Sequence, residues 1–327
     1  MTDADTLNLE HHPRKQQRDV QRPTVARHVN ELLFFKDIEE WRKDNVGVLT
    51  GYRPPTSDWR VCFKSVGQWH NETVNIWTHL AGALCATTVA LLLAFSEFYH
   101  PGTEFHTVLA LLPLFGHFGS ADWKDILIVS SFLLGCLVCF TCSVVFHASL
   151  CHREEVVLLT GRLDFIGILT LGTLNFFPTF YYGFHCDPVL RTVYMCLMLA
   201  SGSIGIGLVC APTYHTPAYR RMRAVTFVSL GLVAVLPFAH ALVKYGAHEA
   251  SKAMSLPWIA AEIAAYLMGV LLYAERCPEC VFPGQFDLLG SSHQLFHVCS
   301  LLAVGFHYKA TAEAFRYFHS VHRGMCV

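Results

Sequence analysis

Seven predominantly apolar stretches recur along the chain, at roughly residues 74–95, 126–146, 165–184, 192–211, 224–243, 256–274 and 291–312. A helix needs about 20 such residues to cross the hydrocarbon core of a bilayer, so the pattern predicts an all-α, seven-transmembrane helix bundle. An eighth stretch, FHTVLALLPLFGHF at 105–118, is too short to span comfortably and is read as interfacial or loop packing. Before the first span, NELLFFKDIEEWR at 30–42 gathers Leu33, Phe34, Ile38 and Trp41 roughly on one helical face, which predicts a short amphipathic helix. The polar residues 1–29 read as a disordered tail. The chain therefore divides into a tail at 1–29, an amphipathic segment at 30–73, a membrane domain at 74–312 and a short tail at 313–327. With no long apolar run before residue 70, insertion is expected to use the first span.

Composition supports this reading. Hydrophobic residues make up 53% of the 327 and charged residues only 15%, a balance expected of an integral membrane protein and not of a soluble domain. Eleven of the 24 Lys and Arg residues precede residue 70, a distribution that suits a cytoplasmic flank and excludes nucleic acid as the reading of the basic charge. With the N-terminus inside, 17 basic residues fall on the cytoplasmic side and seven outside, so the N-terminus is expected to be cytoplasmic and the C-terminus extracellular or lumenal. Most of the thirteen cysteines, among them Cys136, Cys139, Cys142, Cys196, Cys210 and Cys299, lie in apolar stretches and read as reduced and buried.

This topology brings ionisable groups from separate spans to one depth. Span two ends inside at SVVFH, with Ser143 one turn before His147. Span three starts inside at GRLDF, with Asp164. Span seven starts inside at GSSHQLFH, where His293 and His297, four residues apart, share a helical face. Ionisable groups within a membrane are costly and normally have a partner or a function. Three imidazoles beside a carboxylate suit Zn²⁺ in tetrahedral, nitrogen-rich coordination. Asp164 could close such a site directly or through water; a closed site scaffolds, and an open one can hydrolyse. Opposed histidines on facing helices, as haem requires, are not the pattern.

Other polar residues read more plainly. His79, His240 and His307 are expected to be interhelical hydrogen-bond partners, and Glu262 is a stray acid that faces a cavity or snorkels. Cys277-Pro-Glu-Cys280 has metal or redox spacing but lacks a second pair. Asn71-Glu72-Thr73 is a glycosylation sequon expected to stay unmodified, and the small residues of SGSIGIG at 201–207 are expected to let helices approach closely.

The motifs HNETVNIWTHLAG (70–82), SVVFHASLCH (143–152), LDFIGI (163–168), NFFPTFYYGF (175–184) and FPGQFDLLGSSHQLFH (282–297) together resemble the progestin and adipoQ receptor family, which includes adiponectin-receptor-like and haemolysin-III-related proteins. The resemblance runs from LTGYRPP at 49–55 into span seven and is closest to the adiponectin-receptor branch. It implies seven helices, a cytoplasmic N-terminus and zinc near the cytoplasmic end of the bundle. His147, His293 and His297 would then be the ligands, Asp164 would hold the zinc-bound water or approach the metal, and Ser143 would lie beside it. Because alkaline ceramidases are distant relatives, the resemblance also implies hydrolysis of ceramide or a related lipid amide, with membrane lipids as partners. The alternatives are a receptor for an extracellular protein ligand in which zinc is structural, and a scaffold whose N-terminal tail recruits cytosolic proteins. Plasma membrane and endomembrane both fit.

Overall fold

The computed structural model describes residues 31–98, 123–211, 214 and 220–321, which are almost wholly helical. A short α1 (Trp59–Ser65) precedes α2 (Thr73–Phe98), α3 (Trp123–Ser149) and α4 (Glu154–Leu174). Then follow α5 (Phe176–Gly183), α6 (Pro188–Val209), α7 (Arg220–Val233) and α8 (Val235–Tyr245). The last three are α9 (Ala247–Ala253), α10 (Leu256–Glu275) and α11 (Ser292–Val321). The tail at 1–29, the apolar stretch at 105–118 and most of the loop before α7 lie outside the described residues.

Proline chemistry sets two of the breaks. A proline has no N–H for the carbonyl four residues earlier and its ring crowds it. Pro178 therefore deprives Leu174, where α4 ends, and Pro237 deprives Val233, where α7 ends. In each case the next helix continues the same path, so α4 with α5 and α7 with α8 act as single spans.

Among the described residues, six segments are long and apolar enough to cross a membrane: Thr73–Leu93, Trp123–Ser149, Glu154–Gly183, Pro188–Val209, Arg221–Tyr245 and Leu256–Glu275. They coincide with the first six expected spans, the third starting well before its expected beginning at 165. Leu84, Leu127, Leu134, Ile204, Leu232, Val243 and Leu271 point outward from them. A surface this apolar is stable where the surrounding solvent is lipid, and helices satisfy their backbone polar groups internally there. α11 occupies the place of the seventh expected span, but its histidines, Lys309, Glu313 and Arg316 make it far more polar. It also runs on to Val321, through most of what reads from sequence as a C-terminal tail.

The segment before the first span differs from expectation. Of the expected helix at 30–42, the described residues 31–42 form no α-helix; they make two isolated 3-10 turns, at Phe35–Asp37 and Glu40–Arg42. An antiparallel bridge pairs Leu33 with Tyr52, and Ile38, Val48 and Tyr52 make a small core of their own. Tertiary pairing of the backbone has overridden the helical periodicity. The short helix that does precede the spans is α1, capped at its start by Asp58, whose carboxylate accepts from Arg60 N at 2.8 Å.

Small residues allow the helices to close up. A Cβ on Gly167 of α4 would lie 2.9 Å from the Cα of Cys139 in α3, and one on Gly202 of α6 would lie 2.0 Å from Thr173 Oγ1 in α4. The close packing expected of the 201–207 stretch is thus present, and α3, α4 and α6 stack through it. α10 and α11 form the most extensive helix pair, α2 packs on both α3 and α11, and a core around Phe180, Phe184, Tyr194 and Met198 joins α5 and α6 to α7 and α8.

Candidate metal centre

The site begins with how two helix ends are held. The last carbonyls of a helix have no partner within it, and at the end of α3 those of His147 and Ala148 are met by the buried guanidinium of Arg53. Its Nη2 donates to His147 O at 2.5 Å, while its Nη1 donates to Ala148 O at 3.0 Å and to Ser65 Oγ at 2.8 Å. A cation at a helix C-terminus also complements the helix dipole. The start of α11 is fixed in the complementary way. The buried Glu279 carboxylate accepts from Ser292 N at 2.7 Å and from Ser292 Oγ, as well as from Asn45 Nδ2 at 2.9 Å. Gln294 accepts from Gly290 N at 2.6 Å through Oε1 and donates to Asn71 O at 3.1 Å through Nε2, tying α11 to the chain entering α2. The loop before α11 is held in turn by Asp287, which accepts from Leu49 N and Thr50 Oγ1.

These anchors bring His147 of α3 against His293 and His297 of α11. Ring centroids are 5.0 Å apart for His147 and His293, 4.7 Å for His147 and His297, and 5.0 Å for His293 and His297. One nitrogen from each can be chosen so that all three lie within 4.8 Å of one another. His147 Nδ1 donates to Glu72 Oε2 at 2.7 Å, and Glu72 also accepts from Asn75 Nδ2 at 2.7 Å. A carboxylate on the far nitrogen is the usual way a metal-binding histidine is oriented, and it leaves Nε2 of His147 for the centre of the cluster. That Nε2 and Nδ1 of His297 are both buried without a hydrogen-bond partner. Buried polar atoms are ordinarily satisfied. A metal ion accepting both lone pairs resolves the cost, so the residues fit a metal.

Asp164 and Ser143 are buried beside the cluster. All five residues singled out from the sequence line one cavity of about 570 Å³. Its remaining wall combines apolar side chains, Phe146, Leu158, Phe165, Ile168, Phe227 and Phe296, with charged ones, among them Arg42, Asp44, Glu154, Arg223 and Asp287. Three histidines from two helices, with the carboxylates of Glu72 and Asp164 beside them on one cavity, make a site that could hold a metal ion with room for another ligand.

Sequence reading missed Glu72 and Arg53. Glu72 stood out only as the middle of the Asn71 sequon; its value lies in a contact to a residue 75 positions away. Burial alone would push its carboxyl up, but the hydrogen bonds it accepts from His147 and Asn75 outweigh this and hold it below the usual carboxylate range. Just before it, His70 is buried. Its Nδ1 accepts from Glu72 N at 3.0 Å, its Nε2 lies 3.2 Å from Ser65 O, and burial with the nearby Arg53 lowers its pKa to about 4. Neutral His70 therefore fixes the turn that presents Glu72. Asn71 is itself buried, as suits an unmodified sequon.

The lone histidines divide. His307 Nδ1 pairs with Glu262 at 2.7 Å, which Asn175 also contacts, and His240 Nδ1 meets Tyr194 Oη at 2.5 Å, so both act as interhelical partners. Glu262 is buried between helices and does not snorkel. His79 departs from expectation: neither ring nitrogen has a hydrogen-bond partner, and its ring stacks on His297 with centroids 3.8 Å apart. Cys277 and Cys280 are free. Cys136 and Cys139 are buried as expected, but Cys196 and Cys210 are exposed on the apolar exterior, and Cys186 is disulfide-bonded.

Comparison with known proteins agrees with the motifs. The haemolysin-III-related family model matches residues 67–308. An adiponectin receptor protein of Drosophila melanogaster is 34% identical over 287 residues, covering 88% of this chain and 60% of the relative. A progestin and adipoQ receptor-like protein of Caenorhabditis elegans is 32% identical, with 86% and 61% covered. Heptahelical transmembrane protein 1 of Arabidopsis thaliana is 33% identical, with 89% and 82% covered. The chain thus spans about three-fifths of the length of the first two relatives.

Proposed function

The chain belongs to the haemolysin-III-related family of multi-pass membrane proteins, and from that premise we propose that it binds Zn²⁺ through His147, His293 and His297 and hydrolyses ceramide or a related lipid amide. The observation that carries this reading is the coincidence, in one cavity of about 570 Å³ that also has phenylalanine and aliphatic side chains in its wall, of three imidazoles, a buried carboxylate and a serine. Zinc bound there would polarise an amide carbonyl and lower the pKa of water from ~15.7 toward ~7. The protein's own groups would do the rest. Glu72 holds His147 in the tautomer that offers Nε2 inward. Asp164 takes the proton from the attacking water as general base and passes it to the departing amine. Ser143 orients that water or the developing oxyanion. The phenylalanine and aliphatic wall receives the acyl chain and keeps bulk water from the scissile bond.

The membrane orientation in this reading has the N-terminus and the metal cluster on the cytoplasmic side and α11 as a seventh span. A second reading draws on the relatives whose names describe receptors. In it zinc pins α3 to α11, an extracellular ligand changes their packing, the N-terminal tail recruits cytosolic proteins, and there is no turnover. Asp164→Asn separates the two in purified protein assayed for zinc content and for release of fatty acid from ceramide. Catalysis requires retained zinc with hydrolysis reduced by roughly 10²- to 10⁴-fold, the usual value of a positioned base. Zinc-replete wild-type protein that cleaves no lipid amide, in conditions where a ceramidase does, would leave the receptor reading.

A further inference from the structure

Two cysteines with no part in the proposed chemistry meet at the end of the bundle that carries His147. Cys62 lies in α1 and Cys151 in the turn between α3 and α4, 89 positions apart, with their Sγ atoms 3.5 Å from each other. Both side chains are buried and both thiols are free. The scaffold around them is fixed on both sides: Arg53 joins Ser65 of α1 to the terminal carbonyls of α3, and Thr56 N donates to Cys151 O at 2.7 Å. A disulfide needs its sulfurs at about 2.05 Å, so a closure of roughly 1.5 Å separates this pair from a bond.

We propose that Cys62 and Cys151 form a modification site, a dithiol that a hydroperoxide converts reversibly to a disulfide bolting α1 to the end of the helix that bears His147. The Cys151 sulfur attacks one peroxide oxygen, the O–O bond breaks, and water or an alcohol leaves with a sulfenic acid formed at Cys151. The Cys62 sulfur then attacks that sulfur; the S–S bond forms, the S–O bond breaks, and the hydroxyl departs as water with the proton of the Cys62 thiol. Two thiols lose two electrons and two protons, and the peroxide is reduced. The roles follow from the surroundings. Contact with Cys62 and the Arg53 charge outweigh burial and draw the Cys151 thiol down, whereas Cys62 is pushed up by the same contact and by burial. Disulfides facing a reducing compartment are usually transient, which suits a reversible bolt and not a permanent staple.

The test uses full-length protein purified in detergent under reducing conditions, exposed to hydrogen peroxide, denatured in N-ethylmaleimide and digested with trypsin without reductant. The expected product joins peptide 61–64 to peptide 125–153, with fragment ions placing the bridge on Cys151 and not on Cys136, Cys139 or Cys142, and dithiothreitol releases it. The oxidised wild type should unfold at a higher temperature than the reduced protein, a difference absent in Cys62→Ser. Recovery of Cys62 and Cys151 as maleimide adducts after peroxide treatment, or a bridge confined to other cysteines, would overturn the proposal. Should the serine variant fail to fold, the wild-type peptide map still decides, and it reads the thiols whether or not the protein binds a metal.

Discussion

Glu72→Gln tests how far the histidine cluster depends on a residue that is not one of its donors. The side chain keeps its shape, so packing at the start of α2 is preserved, but the carboxylate that receives His147 Nδ1 at 2.7 Å becomes a neutral amide. His147 is buried, so water cannot replace the lost charge. A hydrogen bond to an ionised partner contributes about 1.5–3 kcal/mol and a neutral one about 0.5–1.5 kcal/mol. The difference of about 1–1.5 kcal/mol comes from one bond to a candidate ligand and corresponds to roughly a tenfold change in affinity. The amide also donates as well as accepts, and where its N–H₂ faces His147 the imidazole is driven to the wrong tautomer. Loss of an orienting partner of this kind typically costs 10- to 100-fold in metal affinity. Titration of purified, folded protein against a zinc chelator of known affinity should therefore place Glu72→Gln about 10- to 100-fold weaker than wild type. An unchanged dissociation constant in a variant with wild-type circular dichroism would refute the argument that Glu72 sets the tautomer of His147.

Three further outcomes follow. Each of His147→Ala, His293→Ala and His297→Ala should lower bound zinc, measured by elemental analysis, and lower the melting temperature with it, since a metal held only by the folded state stabilises it by mass action; His79→Ala should keep the metal because it contributes no donor to the cluster. Gly167→Ala should destabilise by about 1–3 kcal/mol, the scale of overpacking, because the new Cβ meets backbone of α3 that cannot move aside, whereas Gly207→Ala, with nothing within 4 Å, should leave thermal stability nearly unchanged. His70 has a folded pKa of about 4 against an ordinary value of 6.5, so the stability it contributes is fully present above pH 6.5 and is lost as pH falls toward 4; the shift corresponds to about 3 kcal/mol. Melting curves across that range should fall less steeply for His70→Asn than for wild type, and parallel curves would refute it.

Hydropathy alone located six of the membrane-crossing segments, because the requirement for about 20 apolar residues is local and one-dimensional. The helical register of His293 and His297 was equally legible, since a four-residue spacing fixes a shared face in any helix. The three histidines, Asp164 and Ser143 could be brought to one depth from topology, because each stands near a span end. Tertiary structure decided what depends on a neighbour distant in sequence. Residues 30–42 have helical periodicity, yet pairing of Leu33 with Tyr52 and of Phe35 N with the carbonyl of Leu49, itself held by Asp287, gives 31–42 3-10 turns and a bridge. α11 continues past its apolar stretch to Val321 with polar groups such as His319 buried, so the periodicity of apolar residues does not mark its inside there. Glu72, Arg53 and the pairing of Cys62 with Cys151 carry no local signature at all. An acid in a sequon, an arginine before two prolines and two isolated cysteines gain their meaning when the folded chain brings them to His147, to the carbonyls at the end of α3, and to each other.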